Sequence, residues 1–111
     1  MIKLSVLYPN EEDKKFDLDY YLRKHMPLSI NKFGDALKGV SVDYGMNGGL
    51  PGTKAPYVAM AHFIFDSVDA FTEAFQPHAE ILQGDIANYT DIIPVYQISE
   101  VKIYRAHPEI V

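Results

Sequence analysis

The sequence predicts an α+β domain with elements in the order β-α-β-β-α-β, and three observations support it. Short segments alternate apolar and polar residues as strands do, two longer segments repeat apolar residues at helical spacing, and turn-forming residues separate them. A chain of 111 residues has room for one domain over 1–111 and one core.

Met1 to Tyr8 alternates, with Ile2, Leu4, Val6 and Tyr8 on one side, and stops at Pro9-Asn10; this is the first strand. After the charged stretch Glu11 to Lys15, Asp17 offers an N-cap for a helix that should end near Phe33 at Gly34. At about 100° per residue, Leu18, Tyr21, Leu22, His25, Met26, Ser29 and Phe33 share one side of that helix, and Asp17, Lys24, Pro27 and Asn31 fall opposite. His25 therefore sits near the centre of the apolar stripe. A buried imidazole needs a hydrogen-bond partner or a chemical role, so His25 reads either as a satisfied core histidine or as a pocket acid/base. Pro27 lacks the N–H that would bond the carbonyl of Arg23, which predicts a kink just after His25.

Leu37 to Tyr44 gives the second strand, with Val40, Val42 and Tyr44 on one side and Gly39 and Ser41 on the other. The loop Gly45 to Pro56 holds four glycines and two prolines and is long for a hairpin, which suits a mobile lid or a dimer contact. Tyr57 to Phe65 is nearly all apolar, as a central strand covered on both faces would be, and only His62 is polar; it shares its side with Val58, Met60 and Ile64. Asp66-Ser67-Val68-Asp69 reads as a cap and first turn of a second helix carrying Val68, Phe71, Ala74 and Phe75, which Pro77 breaks. His78 to Gly84 is a further short helical piece, Asn88 to Pro94 an irregular linker, and Val95 to Tyr104 the last strand.

This order is the ferredoxin-like arrangement, a four-stranded antiparallel sheet with two helices on one face. The first, third and fourth strands carry apolar residues on both sides, so the uncovered face should be one contiguous apolar patch. Packing two such faces across a two-fold axis would hide it, and a homodimer is expected.

Composition narrows the chemistry. No run approaches the 18 apolar residues of a membrane span, and no export signal precedes the first strand, so a cytoplasmic location and no membrane partner are expected. The absence of cysteine removes disulfides, thiolate nucleophiles, iron–sulfur clusters and cysteine zinc sites. A net charge of -5 with ten scattered basic residues argues against nucleic acid. His25, His62, His78 and His107 lie on four different elements with no ligand spacing between them, so no metal is expected. Gly48 to Lys54 has neither the glycine spacing nor the following helix of a phosphate loop, and no dinucleotide or serine-hydrolase motif occurs; no cofactor is expected.

Leu4 to Pro9 (L-S-V-L-Y-P), Phe16-Asp17 through Tyr20-Tyr21-Leu22, Lys24-His25-Met26-Pro27-Leu28 and the Phe65-Asp66-Ser67 joint together resemble the EthD family over essentially the whole chain. The resemblance implies a dimeric α+β barrel. Small antibiotic-pathway monooxygenases, polyketide cyclases and muconolactone-type isomerases share that architecture, with a cavity between sheet and helices in each subunit. EthD proteins take their name from an ether-degradation gene cluster, and the resemblance does not fix an activity. A methylmuconolactone methylisomerase of similar style uses a histidine for proton transfer, which implies the same role for His25.

With a pocket beneath the first helix, His25 is the candidate catalytic acid/base, and Tyr8, Tyr21, Tyr44 and His62 are candidate substrate-binding groups. Phenols and imidazoles are what a cofactor-free isomerase, cyclase or oxygenase-like enzyme needs, one group taking a proton while another donates to a developing enolate. The expected ligand is a small apolar or aromatic molecule. The alternative is a non-catalytic small-molecule-binding or accessory protein of an EthD-type degradation system.

Overall fold

The computed structural model describes residues 1–105, and His107 lies outside them. Four strands form one antiparallel sheet: β1 (Ile2–Pro9), β2 (Gly39–Tyr44), β3 (Tyr57–Phe65) and β4 (Val95–Glu100), in spatial order β2-β3-β1-β4. The two most continuously apolar strands thus occupy the centre, where both edges are paired. A long helix, α1, runs over residues 18–33; α2 (Val68–Phe75) and the short α3 (Ala79–Gly84) follow β3. The last strand ends four residues before the expected Tyr104.

The caps are those the sequence offers. Asp17 Oδ1 accepts the Tyr20 N–H at 3.0 Å, and Ser67 Oγ accepts the Ala70 N–H at 3.0 Å. Gly34 closes α1 at φ +58° and ψ -139°, a combination open to glycine and costly for other residues.

Register decides which residues face the helices. Leu4 pairs with Phe63, Val6 with Ala61 and Tyr8 with Ala59, so these six share a face. All six are buried, and they form the core with Tyr21, Met26 and Phe33 of α1 and Leu82 of α3. Phe33 meets Phe63 and Phe65 edge-on at ring centroid distances of 5.6 and 5.2 Å, and burial of each such ring is worth roughly 2–3 kcal/mol.

The opposite face differs from the expected contiguous apolar patch. Gln97, Ser5, His62 and Ser41 align across all four strands as a polar row. His62 Nδ1 lies 2.8 Å from Ser5 Oγ. Leu7, Met60 and Val95 flank that row on one side. Beyond β4 the chain crosses towards β2, where the Tyr104 hydroxyl comes about 4.0 Å from where a side chain on Gly39 would start.

The loop between β2 and β3 holds its own turn. Gly48 N–H donates to Thr53 O at 2.8 Å, and Thr53 N–H donates to Leu50 O at 3.2 Å. Asn10 ties the loop's end down by donating to Pro56 O and, through its side chain, to Ala55 O.

Candidate active site

The first helix departs from α geometry where chemistry was expected. Residues Tyr21–His25 form a π-helical turn, in which the Met26 N–H reaches back to the Tyr21 carbonyl. Pro27 stands at the start of the α-helical segment Met26–Phe33. In a regular α-helix the ring of Pro27 would press on the carbonyl of Arg23, and the wider turn just before it relieves that conflict. The sequence predicts a kink just after His25; the structure has a π turn over Tyr21–His25, just before Pro27. It also adjusts the stripe: Tyr21, His25, Met26, Ser29 and Phe33 are buried as expected, while Leu22 is 46% exposed.

His25 is 8% exposed, and its polar partner is a carboxylate. His25 Nδ1 lies 2.8 Å from Asp85 Oδ2. Asp85 caps the end of α3, with its N–H donating to Ile81 O at 3.2 Å. Its other oxygen accepts the Tyr20 hydroxyl at 2.7 Å and the Asn88 side-chain N–H at 3.0 Å. The carboxylate is therefore gripped from three directions, which fixes the plane in which it meets the imidazole.

Aromatic rings hold His25 from behind. Tyr21 stacks on it at 5.5 Å with an interplanar angle of 16°, and Tyr89 lies against it at 4.6 Å. The Tyr8 and Tyr89 hydroxyls share a buried hydrogen bond of 2.7 Å. Tyr89 is placed by a long-range staple in which Asp17 N–H donates to Tyr89 O at 2.7 Å and the Thr90 hydroxyl donates to Lys15 O at 2.6 Å.

Nε2 is the free end of the imidazole. No described residue hydrogen-bonds it, and no described buried side-chain nitrogen or oxygen lacks a partner, so Nε2 keeps some access, and His25 is one of the residues that line a cavity. That cavity, of about 70 Å³, lies between the sheet and the helices and is walled by Phe33, Phe63, Leu82 and Ile86, with Ser29, Gln83 and Tyr96 as polar members beside His25. It adjoins an outer cavity of about 460 Å³ between α2 and β4, lined by Phe71, Phe75, Tyr96 and Ile98.

Electrostatics favour a neutral imidazole facing an ionised carboxylate. Burial pulls the His25 pKa below its ordinary value, and the hydrogen bond and charge of Asp85 only partly restore it. Burial pushes the Asp85 carboxyl up, but hydrogen bonds from Tyr20, Asn88 and His25 outweigh that effect and hold it below the usual carboxylate range. With Asp85 ionised, His25 carries its proton on Nδ1 and donates it there, which leaves Nε2 with a free lone pair. Burial pushes the Tyr8, Tyr21 and Tyr89 hydroxyls far up, so they stay protonated.

The other residues singled out from the sequence are dispersed. Tyr8 and Tyr21 are 2% and 1% exposed and belong to the aromatic packing behind His25, without reaching the cavity wall. Tyr44 is 51% exposed at the end of edge strand β2, on the far side of the sheet from β4. His62 sits on the opposite face, bonded to Ser5, with its Nε2 3.8 Å from Asp43 Oδ2. Asp85, Asn88, Tyr89 and Tyr96, which meet at or around the imidazole, were not among the sequence candidates. Among the described residues no three histidines and carboxylates converge as metal ligands, and no helix is long and apolar enough to cross a membrane.

Comparison with known proteins follows the same lines. A family model, the EthD domain, matches residues 10–93. An EthD-like protein from Ralstonia eutropha of known structure is 44% identical, with 95% of each chain covered and a TM-score of 0.90. An EthD family protein from Bacillus halodurans is 20% identical over 91% of this chain and 98% of its own, with a TM-score of 0.70. A dimeric protein of unknown function and ferredoxin-like fold from Bacteroides fragilis is 15% identical over 90% of this chain and 95% of its own, with a TM-score of 0.51. No curated protein matches the sequence.

Proposed function

The chain belongs to the EthD family, and on the geometry of its cleft we propose that it is a cofactor-independent enzyme that moves a proton on a small, largely apolar, oxygenated molecule. The observation that carries this reading is His25, held at 2.8 Å by Asp85 through Nδ1 while its side chain lines an apolar cavity. A satisfied core histidine would also take a partner at Nδ1; what favours the pocket reading is that the other ring nitrogen has none among the described residues while His25 lines a cavity. An acid/base depends on the Nδ1 partner, because it sets the tautomer and stabilises the imidazolium.

The step is a proton abstraction beside a carbonyl. The C–H bond breaks, its proton goes to His25 Nε2, and its electron pair delocalises onto the carbonyl oxygen as an enolate. Asp85 stabilises the imidazolium so formed, and the apolar walls keep water from competing for the proton. Tyr96 and Gln83 line the cavity and carry the donors placed to hold the substrate oxygen. Return of the proton to a different carbon is an isomerisation; attack of the enolate carbon on a second carbonyl of the same molecule forms the ring, breaks that C=O π bond and gives an alkoxide, which takes the proton back from Nε2. A depressed imidazole pKa keeps His25 in the base form at neutral pH.

We also read the uncovered sheet face as the surface through which two chains pair. The Bacteroides fragilis protein of the same fold is dimeric, and Leu7, Met60 and Val95 supply the apolar contact here.

The test uses an enolisable ketone, acetophenone, in deuterated buffer, with loss of the methyl proton signal followed by NMR. His25→Ala should slow the protein-catalysed exchange by about 10² to 10⁴-fold while the fold is retained. If the wild-type chain binds the ketone without exchanging its protons, and His25→Leu binds it equally well and melts higher, the catalytic reading fails. A small-molecule-binding role then takes its place.

A further inference from the structure

The two cavities described above share Leu4, Phe75, Gln83 and Tyr96, so they are consecutive chambers of one cleft. The shared residues form its neck. Gln83 reaches it from α3 and Tyr96 from β4, on opposite walls, so a polar side chain stands on each side of the passage.

Volume then constrains what can enter each chamber. A sealed apolar cavity of about 150 Å³ accommodates one benzene ring, and a single water needs only about 10–15 Å³. The inner chamber, at about 70 Å³, is too small for a ring and large enough for a head group of a few atoms. The outer chamber, at about 460 Å³, has about three times the space that one ring needs. Its walls suit flat apolar bodies: Phe71 and Phe75 stack at 5.4 Å with an interplanar angle of 19° on one side, and Ile98, 44% exposed, stands on the other. The described end of the chain leaves the cleft free, because Tyr104 reaches Gly39 on the other sheet face.

We propose that the substrate is an aryl ketone of two or three rings, its short acyl head seated in the inner chamber against His25 Nε2, its ring system in the outer chamber, and its oxygen held at the neck by Gln83 and Tyr96. This assignment rests on the proton-transfer reading for the identity of the head. The size and apolarity of the body follow from the chambers alone. A long flexible chain would fill the same volume but lose more rotational freedom on binding, and flat rings match the paired phenylalanines better.

Binding is measured by calorimetry for acetone, acetophenone and 2-acetylnaphthalene, which carry the same acyl head on no ring, one ring and two. Kd is expected to fall about tenfold from acetophenone to 2-acetylnaphthalene, with acetone too weak to measure. Ile98→Asp, at an exposed edge position that tolerates polarity, should cut that gain to about twofold or less. Equal Kd for the one-ring and two-ring ketones, or a gain that survives Ile98→Asp, overturns the assignment. Deuterium exchange at the acetyl methyl group is read in the same samples and separates this proposal from the one it rests on. A ring-dependent Kd with no exchange sinks the catalytic reading and retains the two-chamber site, whereas exchange with no ring dependence does the reverse.

Discussion

Replacing Asp85 by Asn changes one atom type and tests the whole arrangement around His25. The native carboxylate accepts three hydrogen bonds, from His25 Nδ1 at 2.8 Å, the Tyr20 hydroxyl at 2.7 Å and the Asn88 amide at 3.0 Å. An asparagine offers one acceptor oxygen and puts an NH₂ where the other oxygen stood. If the oxygen stays with Tyr20 and Asn88, the NH₂ faces His25 and forces Nδ1 to become the acceptor. The imidazole proton then moves to Nε2, and the base facing the cavity disappears. Hydrogen bonds to a charged acceptor are worth roughly 1.5–3 kcal/mol each, and since the neutral amide retains part of two of them, the stability loss should be about 2 kcal/mol. On the proposed activity the catalytic loss should be larger, because the change removes the tautomer with a free Nε2 and so forfeits up to the roughly 10² to 10⁴-fold that the base supplies. The assay combines methyl deuterium exchange of the ketone with nitrogen-15 NMR of the imidazole, which distinguishes the two tautomers directly. An Asp85→Asn protein that keeps Nε2 unprotonated and exchanges within about threefold of wild type would refute the role given to the carboxylate.

Three other outcomes are expected. Stability should fall with acidification in two stages, since the folded pKa values of His25 and Asp85 both lie below their ordinary values of 6.5 and 3.8, so the unfolded chain takes up protons first. The first loss begins as pH drops below about 6.5, where burial also lowers the His62 pKa, and the second below about 3.8; melting temperature against pH shows both, and His25→Leu should shrink the first and, by removing one of the hydrogen bonds to Asp85, weaken the second. Tyr8→Phe should cost about 1–3 kcal/mol in chemical denaturation by stranding the buried Tyr89 hydroxyl, and the Tyr8→Phe/Tyr89→Phe double variant should recover part of that loss. Light scattering at micromolar concentration should give twice the 12.6 kDa chain mass, and a monodisperse monomer would overturn pairing through the sheet face.

The strand positions and the helix phase were legible because both are local signals. Alternation in β1 and the period of α1 put Leu4, Val6, Tyr8, His25 and Phe33 on the core side, and the structure has them there. The face of β3 was harder to assign, since a strand apolar on both sides does not say which side the helices cover. His62 shares the phase of Met60, which proved to be the uncovered one. Tyr44 had the right phase but stands on an edge strand, and strand order is set by long-range pairing that no local pattern carries. Asp85 escaped notice for the same reason: it lies in a short helical stretch with weak periodicity, and it meets His25 across 60 residues of chain.

That separation bears on how the protein folds. The contacts that tie α1 and β1 to the segment after α3 span long stretches of sequence: 60 residues from His25 to Asp85, 65 from Tyr20 to Asp85 and 81 from Tyr8 to Tyr89. Closing loops of this length costs chain entropy before any bond repays it, and contacts of high sequence separation slow folding and form late. An intermediate containing β1, α1, β2 and β3 would already possess most of the sheet and the helix that bears His25, yet its imidazole would have no anchor. On the proposed activity, proton exchange on a ketone would be a readout of the final docking of residues 85–92, and its recovery during refolding should lag behind the return of secondary structure measured by circular dichroism.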